Sequence, residues 1–348
     1  MRPRNDTDDR PALAAVLVVV PARDEQDEIV GCLTSLAASA AAVEIPVVVS
    51  VVLHRCTDGT ADRVGEVAAA HPDVRWVVED SVAGTLGGAR ADGVQAGRAH
   101  EALAALDPAT VWVASTDADS RVPHTWLRAQ RDLADRGLDL VLGTVEPRED
   151  GSKSARLWHA QHHLAEGHLG IHGANLGVRL SAYDRAGGFP ALDDGEDVQL
   201  VHALRDGGMP WTSTDGTRVV TSSRRQGRAG RGFARFLRRL DDAVATFGAT
   251  EELEERLRTE ILRLAEARGP DRTLCPSEAA GAVDPARRQA LTQVARAVAC
   301  TLADEGVVVI TQKGVPVDGR TTPGPVRVRL APTEMTTGGG ARTGGQAR

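Results

Sequence analysis

The chain has 348 residues, 42% of them hydrophobic, with a formal net charge of -7 at pH 7. That length accommodates roughly two domains with packed cores, and the charge argues against a protein given over to nucleic-acid binding. Cys32, Cys56, Cys275 and Cys300 are widely spaced with no C-x-x-C pair, which argues against a disulfide framework or zinc knuckle and suits a reducing, cytoplasmic setting.

In chain order, residues 1–11 are charged and turn-rich, so they read as a disordered start rather than an apolar leader. Leu13 to Val20 is an apolar run that predicts a first strand buried on both faces. Pro21-Ala22-Arg23-Asp24-Glu25 follows as a loop, and a helix is expected from Asp27 or Glu28. Val47 to Leu53 predicts a second strand, after which Thr57 or Asp58 can cap a helix. Val74 to Val78 is a third strand, and Gly84 to Arg90 opens a third helix. This βαβαβα order implies a mostly parallel sheet flanked by helices. The longest apolar window, Leu36 to Leu53, is broken by Glu44 and Pro46, so no membrane span is expected.

Val111 to Ser120 is the stretch around which chemistry gathers. It reads as a buried strand whose C-terminal end, where open α/β sheets bind their ligands, delivers Asp117 and Asp119. Two carboxylates one residue apart can converge on a hard divalent cation such as Mg2+ or Mn2+. Leu138 to Val145 is a further strand, and Ala155 to Ile171 has helical tendency with His159, His162, His163 and His168, best read as surface or interface histidines. His172 abuts Gly173-Ala174-Asn175 and is a candidate cleft residue. Glu196-Asp197 opens a helix, either as catalytic acids or as carboxylates favoured by the helix dipole. Trp211 to Thr221 is strand-like, and seven arginines follow between Arg224 and Arg239. Arg224, Arg225 and Arg228 form a loop-like half able to clamp a diphosphate, and Phe233, Phe236 and Leu237 give the second half helical amphipathicity.

A boundary is expected near Gly248. Beyond it come a helix from Glu251, Ser277 as the N-cap of a short helix, Pro285 at the start of a long one, and a two-stranded ribbon from Val307 to Leu330. Helix, helix, helix, hairpin is the order of a winged helix. Residues 333–348 read as a disordered Gly, Thr and Arg tail.

Taken together, residues 12–248 resemble the family 2 glycosyltransferases of the GT-A fold. Five segments occur in the family's order: Val19 to Glu25, Thr57 to Thr60, Asp117-Ala118-Asp119, Gly173 to Asn175 with Gly187-Gly188-Phe189, and Glu196-Asp197. The resemblance implies a metal-dependent enzyme, a hexosyltransferase-like transferase acting from a nucleotide-diphosphate sugar, UDP-linked by family habit, on an unknown hydroxyl acceptor with inversion. It implies Asp119 as metal ligand, with Asp117 on the metal or the ribose. Pro21, Ala22, Arg23, Glu25, Asp58, Arg90, Asp117, Arg224, Arg225 and Arg228 would form the donor side, and His172, Gly173, Ala174 and Asn175 the acceptor side. Asp197 would be the general base, with Glu196 beside it. Leu53-His54 stands where the family has an acidic pair, so the base-reading carboxylate is missing and the nucleobase is left open.

Residues 256–331 resemble a small bacterial family of unknown function with a winged-helix shape, through segments such as Arg268-Gly269-Pro270 and Cys275-Pro276-Ser277-Glu278. DNA binding through Arg287, Arg288 and Arg296 is conceivable from that shape, but acidic and basic residues nearly balance there, which favours a structural or protein-interaction role for residues 249–332. The acceptor implied is a small soluble molecule or a lipid-linked intermediate. The rival reading is a non-catalytic nucleotide-sugar sensor acting through its winged helix.

Overall fold

The computed structural model describes residues 10–151, 155, 158, 164–168, 170–224, 250–319, 322 and 324–331. The chain divides into two compact units, Met1–Asp242 and Ala243–Arg348.

The first unit is built on β1 (Ala15–Ala22), every residue of which is buried. It pairs in parallel with β2 (Val47–His54) on one side and β4 (Val111–Ser115) on the other, while β3 (Arg75–Ser81) extends the sheet in parallel beyond β2. The odd and even residues of β1 serve different cores. Val16, Val18 and Val20 join Ile29, Leu33, Trp112 and Trp126 on one face, whereas Leu17 and Val19 join Ala89, Val94, Leu200 and Leu204 on the other. A strand clothed on both faces therefore has to be apolar throughout.

Helices α1 (Ile29–Ala40) and α2 (Thr60–Ala70) follow β1 and β2. Helix α3 (Leu86–Arg98), between β3 and β4, is held close to the sheet by small residues. A Cβ on Gly97 would stand 2.2 Å from Leu17 Cδ1 and one on Gly93 2.5 Å from Val52 Cγ2. A short α4 (Glu101–Ala104) leads toward β4.

Past β4 the sheet becomes mixed. The strands β5 (Ser120–Arg121), β6 (Leu140–Pro147), β7 (Leu176–Arg179) and β8 (Trp211–Thr221) complete a sheet of order β3-β2-β1-β4-β7-β6-β8-β5 among the described residues. In it, β7 is antiparallel to both β4 and β6, and β5 is antiparallel to β8, while β6 and β8 still pair in parallel. Helices α5 (Trp126–Ala134), α6 (Leu180–Arg185) and α7 (Glu196–Asp206) pack on this half. The helical tendency expected through Ile171 does not extend over residues 164–168 and 170–172, where the chain turns at Gly167 with a φ of +74°. There Glu166 accepts from Thr214 Oγ1 at 2.9 Å and from the Asp215 amide at 3.0 Å. His159, His162 and His163 lie outside the described residues.

The second unit has α8 (Thr250–Arg268), α9 (Pro276–Val283), α10 (Arg288–Asp304) and a sheet of order β10-β9-β11 from β9 (Val308–Gln312), β10 (Val315–Pro316) and β11 (Arg327–Leu330). Its core takes Leu257, Ile261, Leu291, Val294, Leu302 and Val328. Two expectations are corrected here. The N-cap of α9 is Cys275 and not Ser277, because Glu278 at the third helical position reaches back to the Cys275 amide at 2.8 Å and Pro276 needs no partner for a missing N–H. Pro285 begins a separate short turn, Pro285–Arg287, and Asp284 caps that turn before α10 starts.

Candidate active site

The loops at the carboxyl ends of β1 and β2 are tied into one rim. Asp24, at a φ of +50°, accepts through Oδ1 from the Thr57 amide at 2.6 Å and the Thr57 hydroxyl at 3.0 Å. The Glu25 amide donates to Thr60 Oγ1 at 2.7 Å. Asp58 accepts from the Thr60 amide at 3.0 Å and from the Gln26 amide at 3.2 Å, so its carboxylate fastens the rim and the start of α2 together. Pro21 and Ala22 are buried within β1, and Arg23 is exposed on the loop. His54, at the position where a carboxylate was expected, is buried with Nε2 2.9 Å from the Ala83 carbonyl oxygen.

The end of β4 carries the acidic turn. The Ser120 amide donates to the Asp117 carbonyl at 3.0 Å and the Ser222 amide to the Asp119 carbonyl at 3.1 Å, which locks the turn against the end of β8. Beneath it, the buried thiol of Cys32 donates to the Asp117 carbonyl at 3.4 Å, and burial pushes that thiol far up, out of thiolate chemistry at neutral pH. Asp119 is approached by Thr221 Oγ1 at 3.3 Å. Arg224 bridges the rim and the turn, with Nη1 2.6 Å from Glu25 and Nη2 3.0 Å from Asp119. Burial still pushes the Asp119 carboxyl up to about 6; Arg224 draws it down, and Asp117 and Glu25 add to the rise.

Asp117 turns toward Arg90 of α3. That guanidinium, 1% exposed, donates to Asp117 at 2.5 Å, to Ser115 Oγ at 2.6 Å and to Glu196 at 3.0 Å, and it stands 5.9 Å from the Phe189 ring centroid. One arginine thereby joins the acidic turn after β4 to the acidic pair that opens α7. Close approach is needed: a Cβ on Gly87 of α3 would lie 1.9 Å from the Pro190 carbonyl oxygen and 2.9 Å from Glu196 Cβ. Asp197 Oδ1 accepts from the Val198 amide at 2.7 Å. Burial raises both carboxyls of the pair, with Arg90 opposing the rise at each.

Gly173 forms the facing wall. A Cβ there would lie 2.8 Å from Arg90 Nη2 and 3.4 Å from Asp197 Oδ2. His172 precedes it, half-buried, and Ala174 is buried behind it. Asn175 does not join the cleft: its amide donates to the Thr144 carbonyl at 2.8 Å and the Thr217 carbonyl at 2.6 Å, and accepts from Trp126 Nε1 at 2.9 Å. Arg225 and Arg228 lie outside the described residues.

A basic cluster beside Asp119 was not anticipated. Glu28 receives Arg148 at 2.8 Å and 3.1 Å and Arg121 at 3.4 Å, and Arg148 Nε is buried without a hydrogen-bond partner among the described residues. The arginine hydrogen bonds hold Glu28 below the usual carboxylate range. These three residues come from α1, β5 and the end of β6, so no local pattern links them.

Two carboxylates on one turn, with a third in Glu25 beside Asp119, suit a hard cation that keeps positions open for phosphate oxygens. No group of three or more His, Cys, Asp or Glu poised to hold a metal occurs among the described residues, so such an ion would rely on the substrate to complete its shell. The guanidinium of Arg224 already supplies Asp119 with a positive partner, the chemistry a cation would provide.

Residues 11–181 match the model of the family described as glycosyltransferase-like family 2, and residues 254–331 match a family described as protein of unknown function (DUF3253). Among curated proteins no significant match is found. Similar solved structures include TarS from S. aureus, residues 1–349 in complex with UDP-GlcNAc, with 16% identity, 65% of each chain covered and a TM-score of 0.47. The mannosyltransferase PcManGT from Pyrobaculum calidifontis in complex with GDP-Man and Mn2+ is 21% identical over 86% of this chain and 89% of its own, at a TM-score of 0.48. Glucosyl-3-phosphoglycerate synthase from Mycobacterium tuberculosis in complex with Mg2+ and UDP is 16% identical over 60% and 70%, at a TM-score of 0.37. No described helix is long and apolar enough to cross a membrane.

Proposed function

Residues 11–181 belong to the glycosyltransferase-like family 2, and from that premise we propose that the chain transfers a glycosyl group from a nucleotide-diphosphate sugar to a hydroxyl acceptor with inversion. The observation that supports this reading is that Arg90 donates to both Asp117 and Glu196; in the proposal the first belongs to the donor side and the second to the acceptor side.

In this proposal Asp119, with Asp117, would hold Mg2+ or Mn2+, which would supply Lewis-acid stabilisation of the departing diphosphate. Arg224 exchanges its pairing with Asp119 for the diphosphate oxygens. Asp197 takes the proton of the acceptor hydroxyl as that oxygen bonds to the anomeric carbon, and the bond from that carbon to the diphosphate breaks with its electron pair leaving on the phosphate. Glu196 pairs with Arg90 and fixes the start of α7. A single displacement is the reading proposed, with Asp197 as the base and the Asp117-Ala118-Asp119 turn on the leaving-group side. Arg121 and Arg148 add positive charge near the acidic turn, in keeping with a diphosphate ligand. His54 in place of a carboxylate gives the nucleobase a neutral or cationic neighbour, and UDP is the first donor to try.

The second unit, three helices and a small three-stranded sheet among the described residues, is read in this proposal as a winged helix, with an interaction role favoured over DNA recognition. Arg296 of α10 is engaged with the Gly319 carbonyl at 2.6 Å and the Gly324 carbonyl at 2.8 Å, and Arg288 reaches Ser277 at 3.3 Å.

Titration calorimetry of UDP, GDP and their sugar conjugates, with and without Mn2+, tests the donor site in wild type and Asp119→Ala. Binding of one nucleotide that requires Mn2+ and is lost in the variant supports the proposal. Failure of every nucleotide to bind refutes it.

A further inference from the structure

In the second unit, three guanidinium groups from separate parts of the chain meet on one open cavity of about 470 Å³ lined by Arg268, Arg272, Thr273 and Arg327. Arg268 ends α8, Arg272 and Thr273 lie in the connection to α9, and Arg327 begins β11. Their convergence follows from the core. Leu274 and Val328 pair antiparallel, with both amide-to-carbonyl distances at 2.8 Å, and both side chains are completely buried. Strand alternation then turns the preceding residues, Thr273 and Arg327, outward to the same side.

Among the described residues, the lining of this cavity includes no carboxylate. The counter-charge behind it is Glu278, which also caps α9: its Oε1 accepts from the Cys275 amide at 2.8 Å, from Arg268 at 3.3 Å and from Arg327 at 3.4 Å, and its Oε2 pairs with Arg268. Arg268 further donates to the Thr273 carbonyl at 2.8 Å. Glu278 thus serves two of the three arginines, Arg268 and Arg327. Arg272 is exposed, and its side chain has no partner among the described residues.

We infer that this cavity is a binding site for a small molecule bearing a phosphate or diphosphate group. Planar guanidinium forks match phosphate oxygens two at a time, and the Thr273 hydroxyl adds a neutral donor. The volume exceeds what one phosphate fills and falls within the range of small-molecule sites, about 300–1,000 Å³. Duplex nucleic acid fits less well, because it asks for an extended basic stripe.

The test uses the full chain in EDTA, which silences cation-dependent binding elsewhere, with inorganic pyrophosphate and inorganic phosphate as the calorimetric probes. Arg272→Ala is expected to weaken pyrophosphate binding about tenfold or more, and Arg272→Ala/Arg327→Ala to abolish it. Arg272 has no packing role to lose, so an unchanged thermal melt of Arg272→Ala, together with retained UDP binding in Mn2+, assigns the effect to the cavity. The inference is overturned if the wild type shows no saturable binding of either anion, if binding is unchanged in the double variant, or if only duplex DNA binds.

Discussion

Replacing Arg90 by methionine keeps a long side chain and removes the charge that Ser115, Asp117 and Glu196 share. The two carboxylates are not equally exposed to the loss: the Glu196 side chain is 5% exposed and that of Asp117 39%. Water can solvate Asp117, whereas Glu196 is left as a buried, uncompensated charge. Breaking a buried pair from one side costs about 3–5 kcal/mol, and Arg90→Met is expected at the lower end of that range. All five tryptophans, at 76, 112, 126, 158 and 211, belong to the first unit, so tryptophan fluorescence during urea unfolding follows that unit alone. Adding Glu196→Gln to Arg90→Met removes the stranded charge and is expected to restore at least about half of the loss, a coupling of 1–2 kcal/mol in order of magnitude. The sign with pH is also set. Burial raises the Glu196 carboxyl above its ordinary value and Arg90 opposes the rise, so without Arg90 the group favours its neutral form further, and the deficit grows as pH rises above the carboxyl's folded value and shrinks below it. An Arg90→Met protein that unfolds at the wild-type urea concentration, or a double variant whose losses simply add, would refute the view of Arg90 as the joint of the cleft.

The other predictions concern function. Because burial holds the Asp119 carboxyl at about 6, protons compete with a cation there, so Mn2+ affinity measured by calorimetry is expected to rise from pH 5 to 7 and level off above; a flat profile contradicts it. Asp197→Asn is expected to lower kcat by about 10²–10⁴ while leaving the donor KM within a few-fold, and an active variant would remove Asp197 from the mechanism. Arg224→Ala frees Asp119 from its guanidinium, so binding of Mn2+ alone should tighten while the nucleotide diphosphate binds more weakly; parallel changes in both affinities would sink the exchange of partners. Gly87→Ala forces a Cβ into the Pro190 carbonyl, and thermal unfolding should register about 1–3 kcal/mol of destabilisation with transfer impaired, whereas wild-type behaviour would mean the α3 contact is loose.

Much of the first unit was legible in the chain because β1, β2 and β4 are local apolar runs and a helix follows each of β1, β2 and β3. The Asp117-Ala118-Asp119 turn and the Glu196-Asp197 helix start were legible for the same reason: short polar stops at the ends of apolar segments. The insertion of β7 between β4 and β6 was not, since antiparallel pairing with strands far along the chain leaves no periodic trace in four residues. Asn175 illustrates the same limit. Next to Gly173 it reads as a cleft residue, yet at the end of the short turn Gly173–Asn175 its amide is directed into the sheet, onto the Thr144 and Thr217 carbonyls. Arg90 was grouped with the donor side, but only the folded chain reveals that its guanidinium is buried between Asp117 and Glu196. Glu28, Arg121 and Arg148 each look like ordinary surface charges in sequence. In the second unit the order of helices and strands was readable, while the choice of Cys275 over Ser277 as cap depended on where Glu278 could reach.

The Asn175 anchorage also bears on which part of the cleft can yield to a ligand. Its side chain bonds three elements at once, through Thr144 of β6, Thr217 of β8 and Trp126 of α5, immediately behind the segment that carries Gly173. Breathing of that wall requires parting strands in the middle of the sheet, so the Asn175 backbone amide, itself bonded to the His172 carbonyl at 2.9 Å, should exchange its hydrogen with solvent only when the whole unit opens. A ligand seated against Gly173 would therefore meet a fixed surface on this side, and any closing motion around it would have to come from elsewhere in the unit.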